Sequence, residues 1–68
     1  MEEFGKRLRA VRMERKKTQK QTADMLEMRL RSYQSYEQGE REPSIKKLIA
    51  LADLFDVTLD YLLGRIEQ

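Results

Sequence analysis

The chain contains neither cysteine nor histidine. Those two absences remove disulfide cross-links, thiolate and imidazole metal ligands, the usual nucleophiles and the usual general base together. Proline occurs once and glycine three times, so few positions break or turn the backbone. No apolar run approaches the roughly 20 residues of a membrane span. Met1 is followed by Glu2 and Glu3 rather than by a basic segment backed by an apolar stretch, the pattern of an exported leader. The chain therefore reads as soluble and cytoplasmic. With 68 residues, 40% of them apolar, it has material for one core and none for an enclosed substrate pocket beside it. The remaining acid and base pairs, Glu37 with Lys47 or Asp53 with Asp56, come without a His, a Cys or a cofactor motif, and enzyme chemistry is set aside. No cofactor and no metal is implied.

What is present is unevenly distributed. Fourteen Lys and Arg stand against 12 Asp and Glu, a net charge of +2 with a pI near 9.1. Residues 1–17 carry Lys6, Arg7, Arg9, Arg12, Arg15, Lys16 and Lys17 against Glu2, Glu3 and Glu14, a local balance of +4, and the rest of the chain balances to −2. A solvated helix face explains such a run as simply as a nucleic-acid partner does. Apolar residues gather at the other end: 14 of the 22 residues from Ile45 to Ile66 are apolar. The C-terminal third must supply much of the core.

No stretch alternates Val, Ile and Thr in the manner of a strand, so the expected class is all-α, in one domain over residues 1–68. Phe4, Leu8 and Val11 fall at helical spacing and predict a first helix over about Glu2 to Lys16. Thr18 followed by Gln21 is a capping box opening a second, short helix that turns Ala23 and Leu26 inward. Tyr33 and Tyr36 share one face of a third helix that stops at Gly39. Ser44 caps a fourth helix, in which Ile45, Leu48, Ile49, Ala52 and Phe55 form an inward stripe. Thr58 opens a fifth helix holding Leu59, Leu62 and Leu63 and closed by Gly64.

With the tyrosines inward, Arg31, Gln34, Ser35 and Gln38 should face outward, and all four carry hydrogen-bonding side chains. Arg bonds the acceptor pair of guanine, Gln the donor and acceptor of adenine, and Ser either, which is the chemistry of major-groove readout. Any surface helix also shows a polar face. Two helices spanning about residues 18–38 and joined by a short turn have, in addition, the dimensions of a helix-turn-helix.

The ordered motifs strengthen that reading. They are Leu8-Arg9-x-x-Arg12, Thr18-Gln19-x-x-x-Ala23-x-x-Leu26, Tyr36-Glu37-Gln38-Gly39-x-Arg41-x-Pro43-Ser44, and Leu48-x-x-Leu51-Ala52-x-x-Phe55-x-Val57-x-Leu59-x-x-Leu62-Leu63-Gly64. Together they span nearly the whole chain, which resembles a Cro/CI-type helix-turn-helix regulator of the XRE family. The resemblance implies a five-helix bundle of the lambda-repressor-like DNA-binding type and a regulator that binds a palindromic double-stranded DNA operator as a homodimer. It places Leu30, Arg31, Gln34 and Ser35 at base edges and Gln19, Arg29, Gln38 and Arg41 on the sugar-phosphate backbone. Leu30 either touches a thymine methyl or is a partly exposed leucine; Tyr33 and Tyr36 take core positions. The family also pairs the positions of Arg12 and Glu37, which gives an acid on the reading helix a partner other than phosphate.

Three residues depart from the family pattern: Thr22 where an apolar residue is usual, Glu27 where the turn usually has glycine, and Arg29 where Ser or Thr often caps the reading helix. Beyond the inward stripe of the fourth helix, Leu51, Leu54, Val57, Leu59, Tyr61, Leu62, Leu63 and Ile66 remain. The family's two-fold interface lies in this region, so Val57, Leu59, Tyr61, Leu62 and Ile66 are the expected dimer surface, with the core as the alternative place for Leu62. The chain ends a few residues past the fifth helix, which predicts a Cro-like regulator without an inducer-binding or separate oligomerisation domain. A competing reading on the same fold is a protein-directed module, an antirepressor or antitoxin partner that grips another regulator, favoured by the low net charge and the apolar excess.

Overall fold

The computed structural model describes residues 2–65, in which five helices follow one another: α1 Glu2–Glu14, α2 Gln19–Met25, α3 Leu30–Glu37, α4 Ile45–Phe55 and α5 Leu59–Leu62. No strand occurs among the described residues, in keeping with the all-α expectation. Three of the helices begin at a side-chain cap. Thr18 Oγ1 accepts from the Gln21 amide at 2.9 Å while Gln21 Oε1 accepts from the Thr18 amide at 2.8 Å, completing both halves of the capping box. Ser44 and Thr58 accept in the same way from Lys47 and Tyr61 at 3.1 and 3.0 Å. Arg29, at the start of α3, makes no side-chain cap.

All five helices also end alike. A residue with positive φ follows the last turn: Lys16, Glu27, Gly39, Asp56 and Gly64. The next amide then reaches back five residues, from Lys17 to Arg12 (3.1 Å), Met28 to Ala23 (2.9 Å), Glu40 to Ser35 (3.0 Å), Val57 to Ala52 (3.0 Å) and Arg65 to Asp60 (2.8 Å). This closure satisfies the orphan carbonyls of the final turn. Its early onset at Lys16 is why α1 stops at Glu14 rather than running on to Lys16. Side chains from elsewhere in the chain reinforce two of these ends. Arg15 Nε donates to the Phe55 carbonyl at 3.0 Å, and Lys47 Nζ donates to the Leu26 carbonyl at 3.0 Å.

The core joins Phe4, Leu8 and Val11 of α1, Ala23 of α2, Leu26 just after it, Tyr33 and Tyr36 of α3, Leu51, Ala52 and Phe55 of α4, and Leu62 of α5. Helix α1 lies against α3 and α5, α2 against α3, and α4 against α5. The inward stripe of α4 differs from the expected one. Ile45 and Ile49 are 75% and 46% exposed, whereas Leu51 is fully buried. The observed stripe is Leu48, Leu51, Ala52 and Phe55, which obeys the same i, i+3, i+4, i+7 rule. Because Leu48 through Ala52 are all apolar, periodicity alone does not choose between the two faces.

Thr22, the polar residue at a usually apolar position, is fully buried as well. Its hydroxyl donates to the Thr18 carbonyl at 2.9 Å, one helical turn back, so the core receives only its methyl group.

Candidate nucleic-acid interface

The α2–α3 turn is built by two residues of opposite backbone habit. Glu27 takes φ 56, closing α2, and Arg29 returns to extended backbone at φ −69, ψ 145, starting α3. This turn directs the buried side of α3 into the core, where the Tyr33 and Tyr36 rings meet edge to face at 6.4 Å between centroids. Leu30 and Gln34 are half-buried on the outer side, while Arg31 and Gln38 are exposed, as are Arg29 just before the helix and Arg41 after it. Among the described residues, Arg29, Arg31 and Arg41 form no ion pair. Their charges are available to an external anion.

Ser35 does not share this face. It is buried, and its hydroxyl donates to the Ser32 carbonyl at 2.6 Å. The cause is the segment after Gly39, which folds back so that the amides of Glu40 and Arg41 both bond the Ser35 carbonyl, at 3.0 and 3.3 Å. A base contact from Ser35 is therefore corrected to a structural role in holding this return.

Glu37, the only acid within α3, is turned inward and saturated with donors. Arg12 Nε reaches Oε2 at 2.7 Å and Arg12 Nη2 reaches Oε1 at 3.3 Å; Gln19 Nε2 donates to Oε1 at 3.0 Å, and the Tyr33 hydroxyl donates to Oε2. Each carboxylate oxygen thus accepts twice, the full capacity of the group. Arg12 Nη1 also donates to the Lys17 carbonyl at 2.8 Å, so the same guanidinium ties α1, α3 and the turn before α2. The side chains of Arg12 and Glu37 are 11% and 3% exposed, which makes this a buried, bidentate pair. Burial pushes the Glu37 carboxyl up, but the hydrogen bonds from Arg12, Tyr33 and Gln19 outweigh it and hold the group below its ordinary value of 4.5. Burial and the bond to Glu37 drive the Tyr33 phenol well above its usual range. The hydrogen bond to Glu37, against some desolvation, raises Arg12 further still.

Above this pair lies an open cleft of about 680 Å³ whose lining includes Arg9, Lys16, Lys17, Gln19 and Gln38. Its rim is basic and its floor is neutralised by the Arg12–Glu37 pair. Lys16 and Lys17 carry no individual signal in the sequence beyond the +4 balance of residues 1–17, and Arg9 appears there only within the Leu8-Arg9-x-x-Arg12 motif, with no site role. The fold converts that diffuse balance into a local one beside Gln19. Gln19 is also bonded by Gln34, whose Nε2 donates to Gln19 Oε1 at 3.0 Å.

Val57, Leu59 and Tyr61 are half-buried, and the Arg7 guanidinium lies over the Tyr61 ring at 5.2 Å from its centroid. Leu62 is fully buried within the monomer, which corrects its place on the expected dimer surface in favour of the core alternative. It was apolar at a position that serves the core first. Ile66 lies outside the described residues. Among the described residues no group of His, Cys, Asp or Glu could hold a metal ion, and no helix is long and apolar enough to cross a membrane.

Residues 8–62 match the family model described as helix-turn-helix. Similar proteins include the HTH-type transcriptional regulator AnsR of Bacillus subtilis (strain 168), 45% identical over 62 residues, covering 91% of this chain and 53% of the relative. The HTH-type transcriptional regulator ImmR of the same organism is 38% identical over 64 residues, 94% of this chain and 50% of the relative. The cryptic phage CTXphi transcriptional repressor RstR of Vibrio cholerae serotype O1 (strain ATCC 39315 / El Tor Inaba N16961) is 43% identical over 49 residues, 72% of this chain and 44% of the relative. The chain spans about half the length of the curated relatives it matches. With the matched region running from α1 into α5 and taking in the whole α2–α3 unit, the chain belongs to the XRE-type helix-turn-helix family of DNA-binding regulators.

Proposed function

We propose that this domain reads a palindromic operator in double-stranded DNA as a homodimer and so regulates transcription, with α3 in the major groove. The observation that carries the reading is the sorting of charge on α3. Its one acid is buried against Arg12, while Arg31 faces out between Arg29 and Arg41, none of the three having an ion-pair partner among the described residues. Such a face suits a polyanion. Arg31 and Gln34 have the length and hydrogen-bonding groups to reach base edges, and Leu30 would meet a thymine methyl. Arg29, Gln38 and Arg41 flank them, as phosphate contacts that set the register of the helix on the duplex would. Gln19, on the rim of the basic cleft, completes the backbone contacts from α2.

Two copies related by a two-fold axis through the α5 region would present their α3 helices about one DNA turn, roughly 34 Å, apart. Selection of bound sequences from random duplexes, followed by a salt titration on the winning site, tests the reading. The expected result is a symmetric site preferred over random duplex by roughly a thousandfold or more at physiological salt. Weak binding that ignores sequence and falls away steeply with salt would instead mark a protein-directed module on the same fold.

A further inference from the structure

Gln34, Gln19 and Glu37 form a line of hydrogen bonds leading from the outer side of α3 to the buried ion pair. Gln34 Nε2 donates to Gln19 Oε1, and Gln19 Nε2 donates to Glu37 Oε1, both at 3.0 Å. The direction of this line is set by chemistry. An ionised carboxylate only accepts, so Gln19 must offer Glu37 its NH2 group, which leaves the Gln19 oxygen pointing onward. That oxygen also only accepts, so Gln34 must meet it with its own NH2. The bidentate bond from Arg12 fixes the starting point by holding Glu37 charged and in place.

The far end of the line is the Gln34 oxygen. It has no hydrogen-bond partner among the described residues. Among the described residues no side-chain nitrogen or oxygen of a buried or half-buried residue is both sealed from solvent and unpartnered, so this oxygen is reached by solvent. A glutamine free to turn its amide over would offer either NH2 or oxygen to a base. Held by Gln19, it offers the oxygen, with one N–H to spare.

We propose that Glu37, acting through Gln19, fixes which end of the Gln34 amide faces the major groove, so that both are positioning residues for base recognition. The inference rests on the DNA-reading role proposed above. It also names a class of base: an outward oxygen calls for an exocyclic amine, carried in the major groove by adenine and cytosine, and disfavours the acceptor edges of guanine and thymine. Glu37 thereby acts on specificity without touching DNA.

The test is selection from random duplexes by the wild-type chain, Gln34→Ala and Gln19→Met, joined to NMR of the side-chain amides in the free protein. Gln34→Ala locates the base pair that Gln34 reads. There the wild type should favour adenine or cytosine over guanine and thymine by roughly tenfold or more on the strand that Gln34 meets, identified by abasic substitution of each strand in turn, and Gln19→Met should bring that preference down toward onefold while other positions keep theirs. In the free protein, Gln19→Met should move the Gln34 amide protons toward those of an unbonded glutamine. If Gln19→Met weakens all sequences by one common factor and leaves the preference intact, the relay is overturned while DNA reading stands. Unmoved Gln34 amide resonances, or a Gln34→Ala variant with an unchanged sequence profile, overturn it equally. A wild-type chain that selects no sequence overturns both the reading and the relay.

Discussion

A β-carbon placed on Gly5 would stand 2.5 Å from the carbonyl oxygen of Glu37 and 2.8 Å from that of Tyr36. Both obstacles are backbone atoms, which cannot rotate aside. Glycine at this position is what lets α1 lie directly against the C-terminal end of α3 and brings Arg12 within reach of Glu37. Gly5→Ala should force the two helices apart, with an expected loss of about 1–3 kcal/mol of stability. Urea unfolding measures that loss. Since α3 is the proposed reading helix, DNA affinity should fall further than the unfolded fraction accounts for, measured where the variant is still folded.

The pair at Arg12 and Glu37 carries a pH signature with a definite sign. Glu37 gives up its proton more readily in the folded chain than in the unfolded one, where its ordinary value is 4.5. The unfolded chain therefore binds the proton first as pH falls. The stability due to this group is fully present above about 4.5 and is lost as pH drops below that value through the lower, folded one. Glu37→Gln should lower stability near neutrality and flatten this acid limb, seen in urea midpoints from pH 7 to pH 2. Removing either partner leaves the other buried and uncompensated, at an expected cost of about 3–5 kcal/mol. A double-mutant cycle with Arg12→Ala and Glu37→Ala should show coupling above about 1 kcal/mol.

Three left-handed residues that are not glycine, Lys16, Glu27 and Asp56, close helices in this fold. At such a φ a β-carbon crowds the following carbonyl, by about 1–2 kcal/mol, and glycine escapes this. Glu27→Gly should stabilise the domain by a few tenths to about 1 kcal/mol, a rise of up to roughly 4–8 °C in Tm. Asp56→Gly should gain less, because a short polar side chain tolerates the left-handed region better than Glu. Glu27→Val should lower Tm. A calorimetric ranking in any other order would place the turn in a different backbone geometry.

How far the sequence could be read depended on how local each determinant is. Thr18, Gln21 and Ser44 announce helix starts because a cap is satisfied within three residues of chain. The burial of Ser35 depends on where the segment after Gly39 goes, so helical periodicity around Tyr33 and Tyr36 placed it outward. The α4 face was ambiguous for another reason: five consecutive apolar residues satisfy two stripes equally. Gly5 and the crossing caps from Arg15 and Lys47 serve contacts with partners more than 20 residues away, which no local pattern encodes. The relay from Glu37 to Gln34 joins three residues that were each assigned a role, but only the packing of α2 on α3 puts them in line.

Arg31 and Arg41 are both exposed, yet they should fail differently when truncated. Arg31→Ala should weaken specific binding by about 1–3 kcal/mol and relax the preference at one base pair per half-site. Arg41→Ala should weaken binding to every sequence alike and lower the salt slope by about one. Parallel salt titrations on specific and random duplexes separate the two. Indistinguishable profiles would mean that the base and phosphate roles are wrongly divided.

The proposed dimer surface narrows once burial is known. Leu62 is fully enclosed by its own chain, so Leu62→Asp should unfold the monomer and says nothing about assembly. Tyr61 is different: half-buried, with one face under the Arg7 guanidinium, it presents the rest of its ring on α5. Leu59 and Val57 are half-buried beside it in sequence. Tyr61→Asp places a charge where two copies would meet, at a residue packed against the core rather than enclosed in it, so it should convert a dimer to a monomer in sedimentation while helical circular dichroism persists. Operator affinity should then fall steeply, because each half-site is held alone, whereas binding to an isolated half-site should change little. A Tyr61→Asp variant that still sediments and binds the full operator like the wild type would move the interface away from α5.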